Sequence, residues 1–283
     1  MRKLLSILAI SFSMIGMIAC DVIEEPYKKD NSGIGGGSDN ENPDAVVKNV
    51  LLEDYTGVKC VNCPNAAVIA NQLQEQYGHR LVVLAVHAAG DLSNPFGGFP
   101  NFITNEGNEW VSTFGISSFP KGTVNRKIYS GNKFVDSSSW ADAVAETLQE
   151  EAVIDMKADV EYNDGTVDVE ITSKFLTEMP DTYSLTVCVM EDSIVGKQKI
   201  EKVNPDDPEI IEDYVHRHVF RETINGTWGV DINTTALAPE DEIIESYSIT
   251  LDDDYNHDQC YIVAYVSNSS TKEVLQVIEK KIK

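Results

Sequence analysis

Apolar and polar positions change their spacing once along this chain, near residue 152. Before it, Val46–Tyr55 reads as a strand, a helical stretch runs from about residue 65 to Tyr77, and Gly78 is its stop signal. Leu81–Val86 is a continuous apolar run, the mark of a strand buried on both faces. Strand, helix and strand at this spacing predict a βαβ unit with parallel strands. Residues 88–108 carry Gly90, Pro95, Gly97, Gly98 and Pro100 and read as a loop. A short helix over Glu109–Phe114, a strand over Gly122–Tyr129 and a helix over Trp140–Glu151 complete the unit.

From Val153 the period falls to two. Ile154, Met156, Ala158, Val160 and Tyr162 alternate with charged residues, and Asn163-Asp164-Gly165 is a hairpin turn before Val167, Val169 and Ile171. Further strands are predicted over Tyr183–Val189, Tyr247–Leu251, Cys260–Val266 and Val274–Ile278. Many short strands separated by turns point to an antiparallel, immunoglobulin-like sandwich. The expected architecture is an α/β domain over 45–152 followed by an all-β domain over 153–283.

Composition narrows the function. The 283 residues hold 22 Lys and Arg against 46 Asp and Glu, a formal charge of −24. Such a surface repels phosphate backbones, so no nucleic acid partner is expected. The only long apolar run is at the N-terminus, where Arg2-Lys3 precede an apolar stretch ending in Ala19-Cys20. That is a secretory signal over 1–19, too short for a membrane span and followed by Asp21, Glu24 and Glu25. Residues 21–44 are rich in Gly, Ser, Asn and Asp and read as a flexible tether spanning about 25–30 Å.

Cys60-Val61-Asn62-Cys63 follows a strand and opens a helix. In this setting a CxxC pair reads as a redox motif, because a helix N-terminus favours a thiolate and Lys59 adds a cation. Pro64 fits only the first helical turn. Cys60 is thereby expected near the exposed tip and Cys63 inside. A structural disulfide is the competing reading in an exported protein. Zinc lacks two further ligands at suitable spacing, so neither metal nor cofactor is expected.

Met17-Ile18-Ala19-Cys20 resembles the lipobox of bacterial lipoproteins, which implies lipidation of Cys20 and a membrane contact through the anchor alone. The stretch Asp54–Cys63 resembles a thioredoxin-fold active site. The resemblance implies that Cys60 attacks, Cys63 resolves, Asp54 relays protons, and Pro120, within Ser118-Phe119-Pro120, is a cis-proline that positions the substrate. Lys59 and Val61-Asn62 depart from the usual Trp and Gly-Pro. Strand alternation lets only one of Glu53 and Asp54 face inward, and an exposed acid is the alternative for either. The mature chain also resembles the Bacteroidetes lipoproteins related to the twenty-eight-kilodalton outer membrane protein. That likeness rests on Glu53-Asp54-Tyr55-Thr56-Gly57, Cys60-x-x-Cys63-Pro64-Asn65 and Tyr214–Arg221 followed by Trp228-Gly229. It implies a thioredoxin-like domain joined to a β-sandwich at the outer membrane.

Other candidates stay open. His87 ends the second strand and either shuttles protons near Cys63 or is a structural histidine. The loop over 88–108 either covers the cysteines, binds substrate, or is a surface excursion. His216 and His218, two apart on a strand, share a face but show no third ligand. Asp252–Asp258 lacks the glycine and terminal Glu of a calcium loop and reads as a solvated turn. Cys188 and Cys260 are expected as free thiols, since a bridge needs both on the outer face. Two functions survive: thiol–disulfide exchange on exported proteins with an unknown redox partner, or a non-catalytic surface binding or adhesion lipoprotein.

Overall fold

The apolar runs become central strands. In the computed structural model, β1 (Val50–Thr56) and β2 (Leu81–His87) are parallel, and every residue of both is buried. They are joined by α1 (Cys63–Tyr77), which stops at Gly78 with φ 56°. The structure describes residues 46–283 apart from residues 89, 203 and 207. The signal, Cys20 and the tether therefore lie outside the described residues.

α2 (Asn105–Phe114) begins earlier than its spacing suggests, because Thr104 accepts the Gly107 N–H and caps it. A cis Phe119–Pro120 peptide then leads into β3 (Lys121–Val124), antiparallel to β1. The strand expected to reach Tyr129 ends at Val124, where Asn125 and Arg126 take φ of 47° and 52°. α3 (Trp140–Thr147) returns across the sheet. A Cβ on Gly122 would lie 2.3 Å from the Trp140 indole nitrogen, so only glycine admits that helix. The strand order β2-β1-β3 with flanking helices is the thioredoxin-like arrangement expected of this half.

β4 (Ile154–Asn163) and β5 (Thr166–Phe175) form the expected hairpin, Asp164 and Gly165 supplying the positive φ that a tight turn requires. β6 (Tyr183–Glu191), β7 (Ile194–Lys199), β8 (Ile210–His216), β9 (Val219–Thr223), β10 (Val230–Asp231), β11 (Glu242–Thr250), β12 (Cys260–Asn268) and β13 (Val274–Lys281) follow. They divide among three sheets. β11-β5-β4 is one and β7-β8 another, while the long mixed sheet runs β13-β12-β6-β9-β2-β1-β3, with β10 paired to β6.

That long sheet crosses the expected division at residue 152 without a break. β9 is the joint: it pairs antiparallel with β6 and meets β2 at Ala85↔Val219, where the Ala85 N–H also donates to the His218 carbonyl. Residues 46–283 lie within one compact unit. Among the described residues four apolar clusters fill it, the smallest being Val58, Phe102 and Val219 beside the cysteine turn. Val50, Leu52, Leu81 and Val83 pack under α1 and α3. The opposite face, with Leu51, Tyr55, Val82 and Val86, packs against Trp110 and against Met190, Val263 and Tyr265 of the β half. Ile154, Val167, Val169 and Ile171 pack on Leu185, Val187, Val189 and Ile262.

β6 is therefore covered on both faces, which revises the reading of Cys188. Its side chain lies not on an outer face but in the core shared with Val263 and Tyr265, while Cys260 belongs to the opposite core. Both thiols are free and buried, and burial pushes the Cys260 thiol up to about 12.

Candidate functional site

β1 delivers the chain into a turn in which the Cys60 N–H donates to Gly57 O at 3.0 Å and the Cys63 N–H to Cys60 O at 3.4 Å. Cys63 starts α1, with Pro64 in the first turn. Cys60 and Cys63 are joined by a disulfide with Cα atoms 5.4 Å apart. Both are buried, Cys60 at 3% exposure and Cys63 at 2%. The expected exposed tip at Cys60 is thus absent, for two reasons. The chain after β2 packs on one side: Leu92 O accepts the Lys59 N–H at 2.7 Å, and the Ser93 hydroxyl donates to Thr56 O at 3.0 Å. On the other side, the Lys199 N–H of β7 donates to Val58 O at 2.8 Å, and the Gln198 amide donates to the carbonyls of Gly57 and Cys60 at 3.3 and 3.1 Å.

Neither of the adjacent acids is exposed, because β1 is covered on both faces. Glu53 faces the core that both halves share. Arg126 grips it with two nitrogens, at 2.9 and 2.6 Å, and the Thr123 hydroxyl donates to it at 2.5 Å. Asp54 faces the cysteines instead. Its Oδ1 has no hydrogen-bond partner among the described residues, and burial raises its pKa to about 8. Burial thus favours its protonated, neutral form.

Asp54, Cys63, His87, Tyr214 and His216 line one small cavity of about 30 Å³, room for a water molecule and little more. His87 stacks edge-on to Phe102 and lies 6.0 Å from His216 between ring centroids. Burial holds His87 well below the usual imidazole range and His216 down to about 4. Both are uncharged at neutral pH, and His87 Nδ1 and His216 Nε2 lack partners among the described residues. Pro120 is not among the cavity's walls. It is half-buried just before Lys121, which pairs with Tyr55, and so sits at the same end of the sheet as the cysteine turn.

His216 and His218 do not share a strand face. β8 ends at His216, and His218 turns away with φ 56°. Among the described residues no group of three or more His, Cys, Asp or Glu is arranged to hold a metal ion. A second, larger cleft of about 620 Å³ lies beyond Phe102, walled by Arg221, Tyr255 and the carboxylates of Asp252 and Asp254. Gln198, Phe102 and Arg126 carry no motif that would have singled them out; Tyr214 and His216 fall within the Tyr214–Arg221 signature.

The family model for outer membrane protein Omp28 matches residues 107–283. The chain belongs to the Omp28 family. This membership places it at the outer membrane of the cell envelope, and among the described residues no helix is long and apolar enough to cross a membrane. HBP35 of Porphyromonas gingivalis shares the fold at 17% identity and a TM-score of 0.59, over 84% of this chain and 76% of that one. A protein of Agrobacterium tumefaciens aligns at 12% identity and a TM-score of 0.50, over 84% and 96%. A domain of the outer membrane lipoprotein Omp28 from P. gingivalis is 21% identical over 47% of this chain and 89% of that one, with a TM-score of 0.32. No curated protein matches the chain.

Proposed function

We propose that this Omp28-family chain is a lipoprotein, anchored through Cys20, whose Cys60–Cys63 pair exchanges disulfides with exported protein thiols. The observation that carries the reading is Asp54. A buried carboxyl oxygen with no partner among the described residues is costly, and a bond that only staples the chain gives no reason to keep one beside Cys63. In the exchange, a partner thiolate attacks Cys60, and Cys63 leaves as a thiolate and takes a proton, for which Asp54 is the nearby acid. A second partner thiol then attacks the partner's own sulfur in the mixed disulfide. It releases the Cys60 thiolate, leaving the partner oxidised and this pair reduced by two electrons. Pro120 positions the incoming segment.

The reduction potential of the pair tests this. A value above about −270 mV with a reactive thiolate is expected; one below about −300 mV would mark a structural bond. Cys60→Ser is expected to abolish dithiol-linked turnover.

The second reading is a non-catalytic binding or adhesion lipoprotein, with the disulfide as a staple. It is favoured by the burial of Cys60 and by the 620 Å³ cleft, which a ligand would fill. In both readings we take the strands from residue 153 onward as an immunoglobulin-like sandwich, supported by the packing of β4-β5-β11 on β6 and β12.

A further inference from the structure

The β7-β8 hairpin belongs to neither of the other sheets. What it holds is the cysteine turn. A one-residue register shift lies between Gly196 and Gln198, and beyond it the Gln198 side chain is buried at 3% exposure with its amide on the carbonyls of Gly57, Cys60 and Lys199. The Lys199 N–H points out of the hairpin to Val58 O. On the far side the paired Val195 and Val215 are exposed, at 59% and 43%.

Both stems carry a residue in the left-handed region that is not glycine: Ser193 with φ 60° and His218 with φ 56°. Outside Gly, Asn, Asp and His such residues are uncommon, which makes Ser193 the unusual one, and here the two bracket one element. Asp192 ties the stems together, its Oδ1 accepting the His218 N–H at 3.1 Å and its Oδ2 lying 3.7 Å from Arg217. The hairpin is thus a unit fixed at its base, docked at Gln198 and Lys199, with defined pivots.

From this geometry we infer that the β7-β8 hairpin is a hinged cover over the Cys60–Cys63 disulfide, closed here and opening about Ser193 and His218 to admit a thiol. The inference rests on the exchange reading. With Cys60 at 3% exposure a thiol reaches its sulfur only once the cover lifts. Lifting costs the Lys199 bond, the Gln198 bonds to the turn, and the packing of His216 on Phe102 and His87 and of Ile194 on the Val58 cluster. It leaves the hairpin's own pairing intact and opens the cavity holding Asp54.

The test is the rate at which a water-soluble phosphine reduces the disulfide in the folded full chain. Phosphorus attacks one sulfur, and water completes the reaction to phosphine oxide and two thiols. Gln198→Ala and Lys199→Pro each remove docking bonds and are expected to speed reduction about tenfold, the worth of one or two hydrogen bonds. In the unmutated chain, reduction in low urea is expected to depend on denaturant far less steeply than global unfolding does. Rates within twofold of the parent in both variants, with unchanged circular dichroism, would overturn the cover. So would a urea dependence equal to that of unfolding, a result that stands even if a variant fails to fold. The equilibrium potential is read separately: a value in the structural range defeats the exchange reading whatever the rates, while a tenfold acceleration still establishes the cover.

Discussion

Glu53 and Asp54 are neighbours in sequence with opposite fates. Alternation along β1 sends them to opposite faces, and that much was legible in the sequence. Which acid would be paired was not, because Arg126 lies 73 positions away and reaches Glu53 only through the left-handed turn after β3. Replacing Glu53 with Gln leaves a buried guanidinium without its counter-charge and is expected to cost about 3 kcal/mol in urea unfolding. Asp54 behaves in the opposite sense. Burial raises its pKa to about 8, so between roughly pH 4 and 8 the native state holds a proton that the unfolded chain has lost. Its contribution therefore falls as pH rises through that window. Asp54→Asn is expected to remove this slope, gaining about 3–4 kcal/mol relative to the parent between pH 5 and pH 8. A parent–variant difference that stays constant with pH would show that Asp54 ionises freely in the fold.

The elements that sequence spacing foresaw are those whose buried positions are apolar. β2 is a solid apolar run, and β4 and β5 alternate cleanly. β7 was hidden because its pattern is inverted: Gly196 and Gln198 are buried toward the cysteine turn while Val195 is exposed. The cysteine turn itself depends on a close backbone approach. A Cβ on Gly57 would lie 2.4 Å from Leu92 O and 2.7 Å from Ser93 Oγ, and the first of these is backbone that cannot swing aside. Gly57→Ala is therefore expected to push the 92–93 segment away, costing about 1–3 kcal/mol. It is also expected to speed amide exchange at Lys59, whose N–H now bonds Leu92 O. Gly97, which has open space around its Cβ position, provides the neutral control as Gly97→Ala. Unchanged exchange at Lys59 would mean that the turn does not need this contact.

At the scale of the whole molecule, the change of period near residue 152 is real but marks a change of local pattern rather than a gap. The joint is β9, five residues whose buried Val219 and Phe220 connect β6 to β2 and whose signal is too short to register as a separate strand. Because the core around Trp110 draws Tyr55, Val82 and Val86 from one half and Met190, Val263 and Tyr265 from the other, neither half can bury its apolar face alone. Residues 46–283 are therefore expected to unfold in a single transition. Fluorescence weighted toward the fully buried Trp110 and Trp140 should share its midpoint with the far-ultraviolet signal of the strands. Residues 46–152 made by themselves should be unfolded or aggregated, since the cut strips one face of β1 and β2 of its cover. Two separable transitions, or a folded 46–152 fragment, would show instead that the α/β half is autonomous and that the continuous sheet is only an interface. In the single-transition case the β half and the cysteine turn are coupled through one core, and whatever acts on β9 also acts on the edge from which the disulfide is presented.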